Sequence, residues 1–552
     1  MPKPTDFAPV APPPAESAIF SQPLALSLAG ALGLLLALSL FAIAPLFYPG
    51  YFQAHSGFVP LWNIADIRAN FGPGWTPPIA TRFAALPGDG LLPYAVAALL
   101  RLPPVSAVKL IFGVSWLLGG AGLLLWLRSW LGYVGALVAA LVYVYLPFQI
   151  AAVYARGAWA ETLFWGLLPW ALLAATYLVT SPRRALLLPA ALFWLALGLT
   201  QLGLALWAAL LAAILLLAVH RRESLLPLLA VLGGVGLAAA GYALLGHPFT
   251  APINPADHLL YPNQLFSAAW GFGASRPGWN DGMSLQVGLA AAGLSLLAVT
   301  QWWPNPAHRR DRRLWFFLLA ALALALLTTP LAAAVWGWPL LAYPWQLLGL
   351  AGLCLSVLAG ALLWLEPQFA RLPLLAGVIL FILLSAYPAL LPQFIKTDSI
   401  PPGPEAILGD NLLVLLDHHF EMQTSGYTVG LGQGETTIPL AAHGSLRPGE
   451  ALVLAVRWQP LQIFGQDYKI FVHLVDAAGN VLAQFDGYPH EGAYPTSQWV
   501  PGEVIADSYP LAVPADAPAG PYRLFVGLYD EATLERLSVS GDDSGRVIFD
   551  VQ

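Results

Sequence analysis

The chain has 552 residues, 58% of them hydrophobic and only 10% charged. A soluble globular domain carries about 25% charged residues, so this composition excludes an ordinary water-soluble fold. The charge is also divided: residues 1–392 hold 17 Lys/Arg against 10 Asp/Glu, whereas 393–552 hold 7 against 20, and an acidic tail of this kind argues against nucleic acid as a partner.

The first 22 residues are Pro-rich with one lysine, and the apolar run Pro23 to Phe47 is longer than the core of a secretory signal. No small-x-small cleavage pattern follows at Tyr48-Pro49-Gly50, so a retained anchor helix is expected. Runs able to cross about 30 Å of hydrocarbon then recur. They predict eleven spans, near 23–47, 105–127, 133–153, 161–180, 185–200, 203–219, 225–246, 284–303, 314–334, 344–365 and 373–392. The pair 185–200 and 203–219 is short, and Thr200-Gln201-Leu202-Gly203 reads either as a loop or as a polar kink in one long helix.

With a cytoplasmic N-terminus, Arg128, Arg183-Arg184, Arg221-Arg222, Arg309-Arg310, Arg312-Arg313 and Arg371 all fall on the inner side, as the positive-inside bias requires. The outer side receives 48–104, the Arg156–Glu161 turn, 247–283, Trp336-Gly337-Trp338 and everything after Pro392. Leu91 to Leu100 is apolar but too short to span, and Arg101-Leu102-Pro103-Pro104 stops it; a re-entrant or interfacial helix fits. Cys354, the single cysteine, lies in an apolar run and reads as a small buried hydrophobe.

Beyond Pro392 the period changes. A Pro401-Pro402-Gly403-Pro404 linker precedes short alternating runs such as Ala451–Trp458, Lys469–Val475, Val481–Phe485, Tyr522–Leu528 and Val547–Val551. Turn sequences such as Arg447-Pro448-Gly449-Glu450 and Ala477-Ala478-Gly479-Asn480 separate them, which predicts an all-β sandwich. The expected organisation is a cytoplasmic tail 1–22, a transmembrane domain 23–392, a linker 393–406 and an extracytoplasmic β domain 407–552.

Chemistry is expected on the outer side, where carboxylates can act as bases or hold a divalent cation against a diphosphate. The outward acids of the membrane region are Asp66, Asp89, Glu161, Asp257 and Asp281. The loop after the first span, Tyr51 to Asp89, also holds His55, Arg68 and Arg82. Asp66 either faces a pocket or rides with Arg68 on an interfacial helix whose charges are in water. Asp89, in Pro87-Gly88-Asp89-Gly90, is either a turn acid or a catalytic one. In Arg156-Gly157-Ala158-Trp159-Ala160-Glu161, Glu161 opens a helix, where the dipole favours a carboxylate, and Arg156 is placed to hold a phosphate oxygen. The bland alternative is a capping glutamate with a snorkelling arginine. Loop 247–283 adds His247, His258, Arg276 and the aromatics Tyr261, Trp270, Phe272 and Trp279, which suit sugar rings or simply a membrane interface. His55, His247 and His258 lack zinc-ligand spacing. In the tail, Asp476, Asp486, Asp507 and Asp530 read as calcium ligands or as turn acids. Trp458, Tyr494, Trp499 and Tyr529 read as a sugar-stacking face or as core.

The order of first span, outer loop, Pro-flanked helix Leu91–Leu100, Arg156-Gly157-x-x-x-Glu161 and Tyr343-Pro344-Trp345-Gln346 resembles the bacterial multi-pass family called 6-pyruvoyl-tetrahydropterin synthase-related membrane domain. That family is similar to GT-C-type glycosyltransferases, and the resemblance covers roughly residues 20–395. The tail, through Lys469–Asp476 and Tyr494–Trp499, is similar to β-sandwich domains that follow membrane glycosyltransferases in some bacteria. The resemblance implies a GT-C-like helical body and transfer of sugar from a polyprenyl-phosphate donor at the outer face, using an acid in the first outer loop. The relatives' Asp and His of that loop align with Ser56 and Pro60 here, and their late arginine with Gln346, which leaves Asp66 or Asp89 for the acid's role.

The leading expectation is therefore a GT-C-like sugar transferase of the bacterial cytoplasmic membrane. Asp66, Asp89 and Glu161 are its candidate catalytic residues, and Arg156, His55, Arg68, His258 and Trp270 its candidate substrate-binding residues. No cofactor is assigned, although a divalent cation is a candidate. Its partners would be membrane lipid, a lipid-linked sugar donor and a glycan or protein acceptor. The rival is a non-catalytic envelope protein that binds glycan or a protein through its β domain.

Overall fold

The computed structural model describes residues 22–52, 58–70, 91–220, 223–244, 255–267, 269–272, 275, 278–279, 281–337, 341, 343–396, 405–409, 413–428, 432–439, 445–460, 464–499, 503–539 and 544–551. In the helical body these form α1 (Leu28–Ile43), α2 (Val59–Asn70), α3 (Leu91–Leu100), α4 (Pro104–Val144), α5 (Pro147–Tyr154), α6 (Trp159–Thr180) and α7 (Leu187–Thr200). They continue with α8 (Leu202–Val219), α9 (Leu225–Leu244), α10 (Pro262–Phe266), α11 (Leu289–Trp302), α12 (Arg312–Leu327), α13 (Leu348–Leu365) and α14 (Leu372–Ala386).

The protein is a multi-pass helical membrane protein with a C-terminal all-β unit. Each of the eleven expected spans is occupied by helix, yet among the described residues only seven helices, or eight with one bent pair, are long and apolar enough to cross alone. Three local causes account for the difference. Helix α4 runs 41 residues and holds two expected spans, which meet at a kink at Gly132, where a φ of 69° turns the chain. Helices α7 and α11 have 14 residues each, about 21 Å of rise, short of the hydrocarbon thickness. The ninth span bends by 82° between Leu327 and Pro330. Gln201 separates α7 from α8 with an extended backbone (φ −158°, ψ 99°), so the short pair is two helices and not one kinked helix.

The helices approach closely through small residues. Gly135 faces the backbone of Gly360, and Gly166 faces that of Ser115, leaving no room for a Cβ at either glycine. Leu91–Leu100 is a helix, as expected, and packs on α2: Asn63 donates to the Tyr94 hydroxyl at 2.9 Å.

Two ends of the body can be told apart by contacts. At one, Arg313 lies 4.3 Å from the Trp130 ring centroid, His308 packs 4.8 Å from Trp364, Arg312 reaches Ala218 O at 3.5 Å and Leu24 N donates to Ala370 O. Among the described residues, this end carries the arginines of the expected inner side. At the other end, strand β1 (Tyr51–Phe52) after α1 pairs antiparallel with β2 (Phe394–Ile395) after α14, tying first helix to last.

The β unit contains β3 (Ala406–Leu408), β4 (Leu413–Thr428), β5 (Gly432–Pro439), β6 (Ala451–Pro460), β7 (Tyr468–Val475), β8 (Val481–Gly487), β9 (Ile505–Ala512), β10 (Tyr522–Asp530) and β11 (Val547–Val551). One sheet has the order β3-β4-β6-β9 with β5 on β4, the other β11-β10-β7-β8, and all pairings are antiparallel. Their inner faces share one core through Leu452, Leu454, Val456 and Trp458 from β6 against Ile470, Val472, Leu474, Leu524 and Val526. The start of strand β4, Leu413 to Leu416, is buried on both faces. Leu413 and Leu415 enter that core, while Val414 and Leu416 join the core of the helical body.

Candidate functional site

The end that carries β1 and β2 also holds the best-built polar cluster. Helix α5 ends at Tyr154, Gly157 takes the left-handed conformation (φ 60°), and α6 begins at Trp159. This tight reversal folds Arg156 back onto Glu161. The arginine donates from Nη1 to Oε2 at 2.6 Å and from Nη2 to Oε1 at 2.8 Å, a bidentate pair. Trp165 Nε1 donates to Oε1 at 3.1 Å, and Gln346 Nε2 to Oε2 at 3.3 Å. With Arg156 6% exposed and Glu161 3%, the pair is shut inside protein. Its four donors satisfy the carboxylate, and its net charge is zero, which is what makes a buried ion pair tolerable. The Arg156 guanidinium also lies 4.8 Å from the Phe148 ring centroid and 4.9 Å from that of Trp345.

Trp345 links this pair to the loop after α9. Its Nε1 donates to Ser275 Oγ at 3.1 Å, and Ser275 Oγ lies 3.0 Å from His258 Nδ1. Tyr343 stacks on Trp345 (centroids 4.8 Å) and meets the His258 ring edge-on at 5.0 Å. Burial lowers the His258 pKa to about 4, against a small upward pull from Asp257, so the ring is neutral near pH 7. Burial pushes the Tyr343 hydroxyl well above its usual range; Asp281 adds to the rise and Arg156 opposes it. Asp281 and Arg156 therefore act on the same hydroxyl. Asp281 in turn accepts from Gln264 Nε2 at 2.7 Å.

The described site residues separate into three groups. Arg156, Glu161 and His258 are brought together through Trp345, Tyr343 and Ser275. Asp66 and Arg68 sit on α2, half-buried; Asp66 accepts from Asn70 at 2.7 Å and Arg68 Nη2 donates to Ala97 O at 2.8 Å. Helix α2 reaches the Arg156 turn indirectly, because Tyr94, bonded to Asn63, meets Trp159 edge-on at 4.5 Å. Trp270 is half-buried against Phe272, and its Nε1 has no hydrogen-bond partner among the described residues. His55 and Asp89 lie outside the described residues, as do Ser56, Arg82, His247 and Arg276. Pro60 is buried in the first turn of α2.

Sequence reasoning did not single out Ser275 or Gln264. A serine 17 residues from His258 and 70 from Trp345 carries no spacing signal, because only the tertiary fold joins them. Among the described residues no group of three or more His, Cys, Asp or Glu is placed to hold a metal. In the β unit, Asp476 accepts from the amides of Ala478 and Asn480 and from the Asn480 side chain, and Asp530 accepts from Ala532 N and Gln466. Asp507 accepts from His490 N and Tyr509, and Asp486 lies 3.1 Å from His473. These are turn and strand-end acids with protein partners. Trp458 and Trp499 are core residues, 0% and 2% exposed.

An apolar groove of about 520 Å³ lies between α8 and α12, running from Ala218 and Arg312 at the arginine end to Trp207 and Leu327. Trp207 packs on Trp336 at 5.9 Å, and Trp336 Nε1 donates to Leu327 O. Leu260, two residues beyond His258, donates its amide to Thr328 O at 2.7 Å. The groove therefore ends beside the loop that carries His258.

No protein-family model matches the chain, so the pterin-named membrane family is not supported, and no curated protein matches it. Among solved structures, the single-particle cryo-EM structure of the arabinofuranosyltransferase AftD from mycobacteria is similar over 66% of this chain and 26% of that one, at 18% identity and a TM-score of 0.43. The chain thus spans about a quarter of the length of AftD.

Proposed function

We propose that the chain is a GT-C-type membrane glycosyltransferase that moves a sugar from a polyprenyl-phosphate donor to a glycan or protein acceptor at the outer membrane face. The observation that carries this reading is the buried Arg156–Glu161 pair, walled by Phe148 and Trp345 and joined to His258, at the end of the body opposite the arginines. The positive-inside bias puts the arginine end in the cytoplasm, so this end and the β unit face outward. The aliphatic groove between α8 and α12 suits an isoprenoid chain and delivers its end to the His258 loop.

In this reading Asp66 or Asp89 serves as the base toward the acceptor hydroxyl, or as the ligand of a divalent cation that shields the donor phosphate. The acceptor oxygen bonds to the anomeric carbon, its proton passes to the carboxylate, and the sugar–phosphate C–O bond breaks to release polyprenyl phosphate. In this reading Arg156 holds the donor phosphate through its Nε, which is buried and unpartnered among the described residues, and Glu161 holds the guanidinium in place. His55, Arg68, His258 and Trp270 bind the sugar in the same reading.

The test is transfer of radiolabelled sugar from polyprenyl-phosphate donors in membranes carrying Asp66→Asn, Asp89→Asn or both. The double variant is expected to lose transfer at unchanged protein level. Full transfer by the double variant would overturn the assignment. One observation favours a second reading, a non-catalytic envelope protein that binds glycan or a partner through its β unit. The Arg156 Nη groups and the Glu161 oxygens are engaged with each other, with Trp165 and with Gln346. Under that reading the same variants leave the cell-envelope phenotype intact.

A further inference from the structure

The arginine end holds a second cavity, of about 440 Å³, where α4, α6, α8 and α12 converge. We infer that this cavity binds the headgroup of an anionic phospholipid from the leaflet on the arginine side.

The polar rim comes from three separate elements: Arg128 on α4, Arg313 on α12 and His220 after α8, with the Thr176 and Thr180 hydroxyls of α6 between them. Arg313 is fixed in direction. Its Nε and Nη2 donate to Asp311 at 3.0 and 2.7 Å, and its guanidinium lies over Trp130. Arg128 is exposed and has no hydrogen-bond or ion-pair partner among the described residues. His220 is held below its usual pKa, chiefly by burial, with exposed Glu223 opposing and Arg313 adding to the fall, so it presents a neutral imidazole.

The floor is apolar, formed by Leu173, Leu215 and Phe317. A phosphate at the rim with an acyl chain on the floor matches both halves, whereas a free soluble anion would leave the apolar half in water. Charge agrees with the choice. Among the described residues this end carries eight arginines against three carboxylates, Glu223, Asp311 and Glu366, and Asp311 is engaged by Arg313. Every arginine near a bilayer surface attracts anionic lipid, but only Arg128 and Arg313 line this cavity.

The experiment is native mass spectrometry of the full chain released from nanodiscs of phosphatidylcholine doped with phosphatidylglycerol. The wild type is expected to retain phosphatidylglycerol in preference to phosphatidylcholine. Arg128→Gln should reduce that preference about tenfold, the loss of one charge-assisted hydrogen bond, and Arg128→Lys should keep most of it. Arg184→Gln, an exposed arginine of the same end outside the cavity, should leave it unchanged. Equal loss in Arg128→Gln and Arg184→Gln would overturn the site in favour of a diffuse basic surface, and equal retention of both lipids by the wild type would overturn it outright. Unfolding temperatures of each variant, measured in one detergent, separate lost binding from lost structure.

Discussion

Among the described residues the body carries two arginine–carboxylate pairs, one at each end, and they differ in burial rather than in chemistry. Arg156–Glu161 leaves side-chain exposures of 7% and 4%, and Arg313–Asp311 leaves 38% and 14%. Both guanidiniums lie against aromatic faces. The first pair is closed on itself and on Trp165 and Gln346, so it fixes the turn between α5 and α6. The second is open, so its arginine remains able to meet a ligand while Asp311 keeps it pointed. Burial makes the first a fixed pair that leaves only the Arg156 Nε to donate, and the second a positioned but open donor.

The sharpest way to break this contrast is to remove one carboxylate from each pair. Glu161→Gln leaves a buried cation unpaired and is expected to cost about 3–5 kcal/mol, read as a lower unfolding temperature in detergent. Replacing both partners by leucine should recover most of the loss. If Glu161→Gln were no more damaging than a surface change, the closed pair would have to be open.

An intermediate effect comes from His258. Its pKa of about 4 lies below the unfolded value of about 6.5, so the unfolded chain takes up the proton first as pH falls. Stability should therefore drop by about 3 kcal/mol between pH 6.5 and 4 and level off below. His258→Gln should flatten that part of the pH–stability profile. An unchanged slope would mean that the ring is wet.

The smallest change is expected from Asp311→Ala, which removes both the N-cap of α12, where Asp311 accepts from Arg313 N at 2.9 Å, and the partner of Arg313. A loss of about 1 kcal/mol is expected, several times less than for Glu161→Gln. Comparable losses would erase the distinction between the two ends.

Much of the architecture was legible because hydropathy reports burial in lipid directly. The runs around Leu28–Ile43 and Leu348–Leu365 could scarcely be anything but spans, and the alternation in Ala451–Trp458 marks one face of a sheet. The kink at Gly132 falls at the break expected between the spans 105–127 and 133–153. The Arg156–Glu161 pair was visible because one tight reversal brings together residues five apart. The His258–Ser275–Trp345 chain was not, since its members meet only through tertiary packing. Gln346, noted as a departure from the expected arginine, has a local sense: a second guanidinium beside Glu161 would leave a surplus positive charge in a closed space, whereas an amide adds a donor without one.

Strand β4 serves two interiors at once, with Leu413 and Leu415 turned one way and Val414 and Leu416 the other. A peripheral module on a loose tether would be free to swing, but this one is keyed into its support by adjacent residues on a single strand. Lifting it away would expose aliphatic side chains on both partners and pull against the β1–β2 ribbon that lies just before it in the chain. The β unit is therefore held at a set height and bearing over the helices, like a fixed jaw and not a flail.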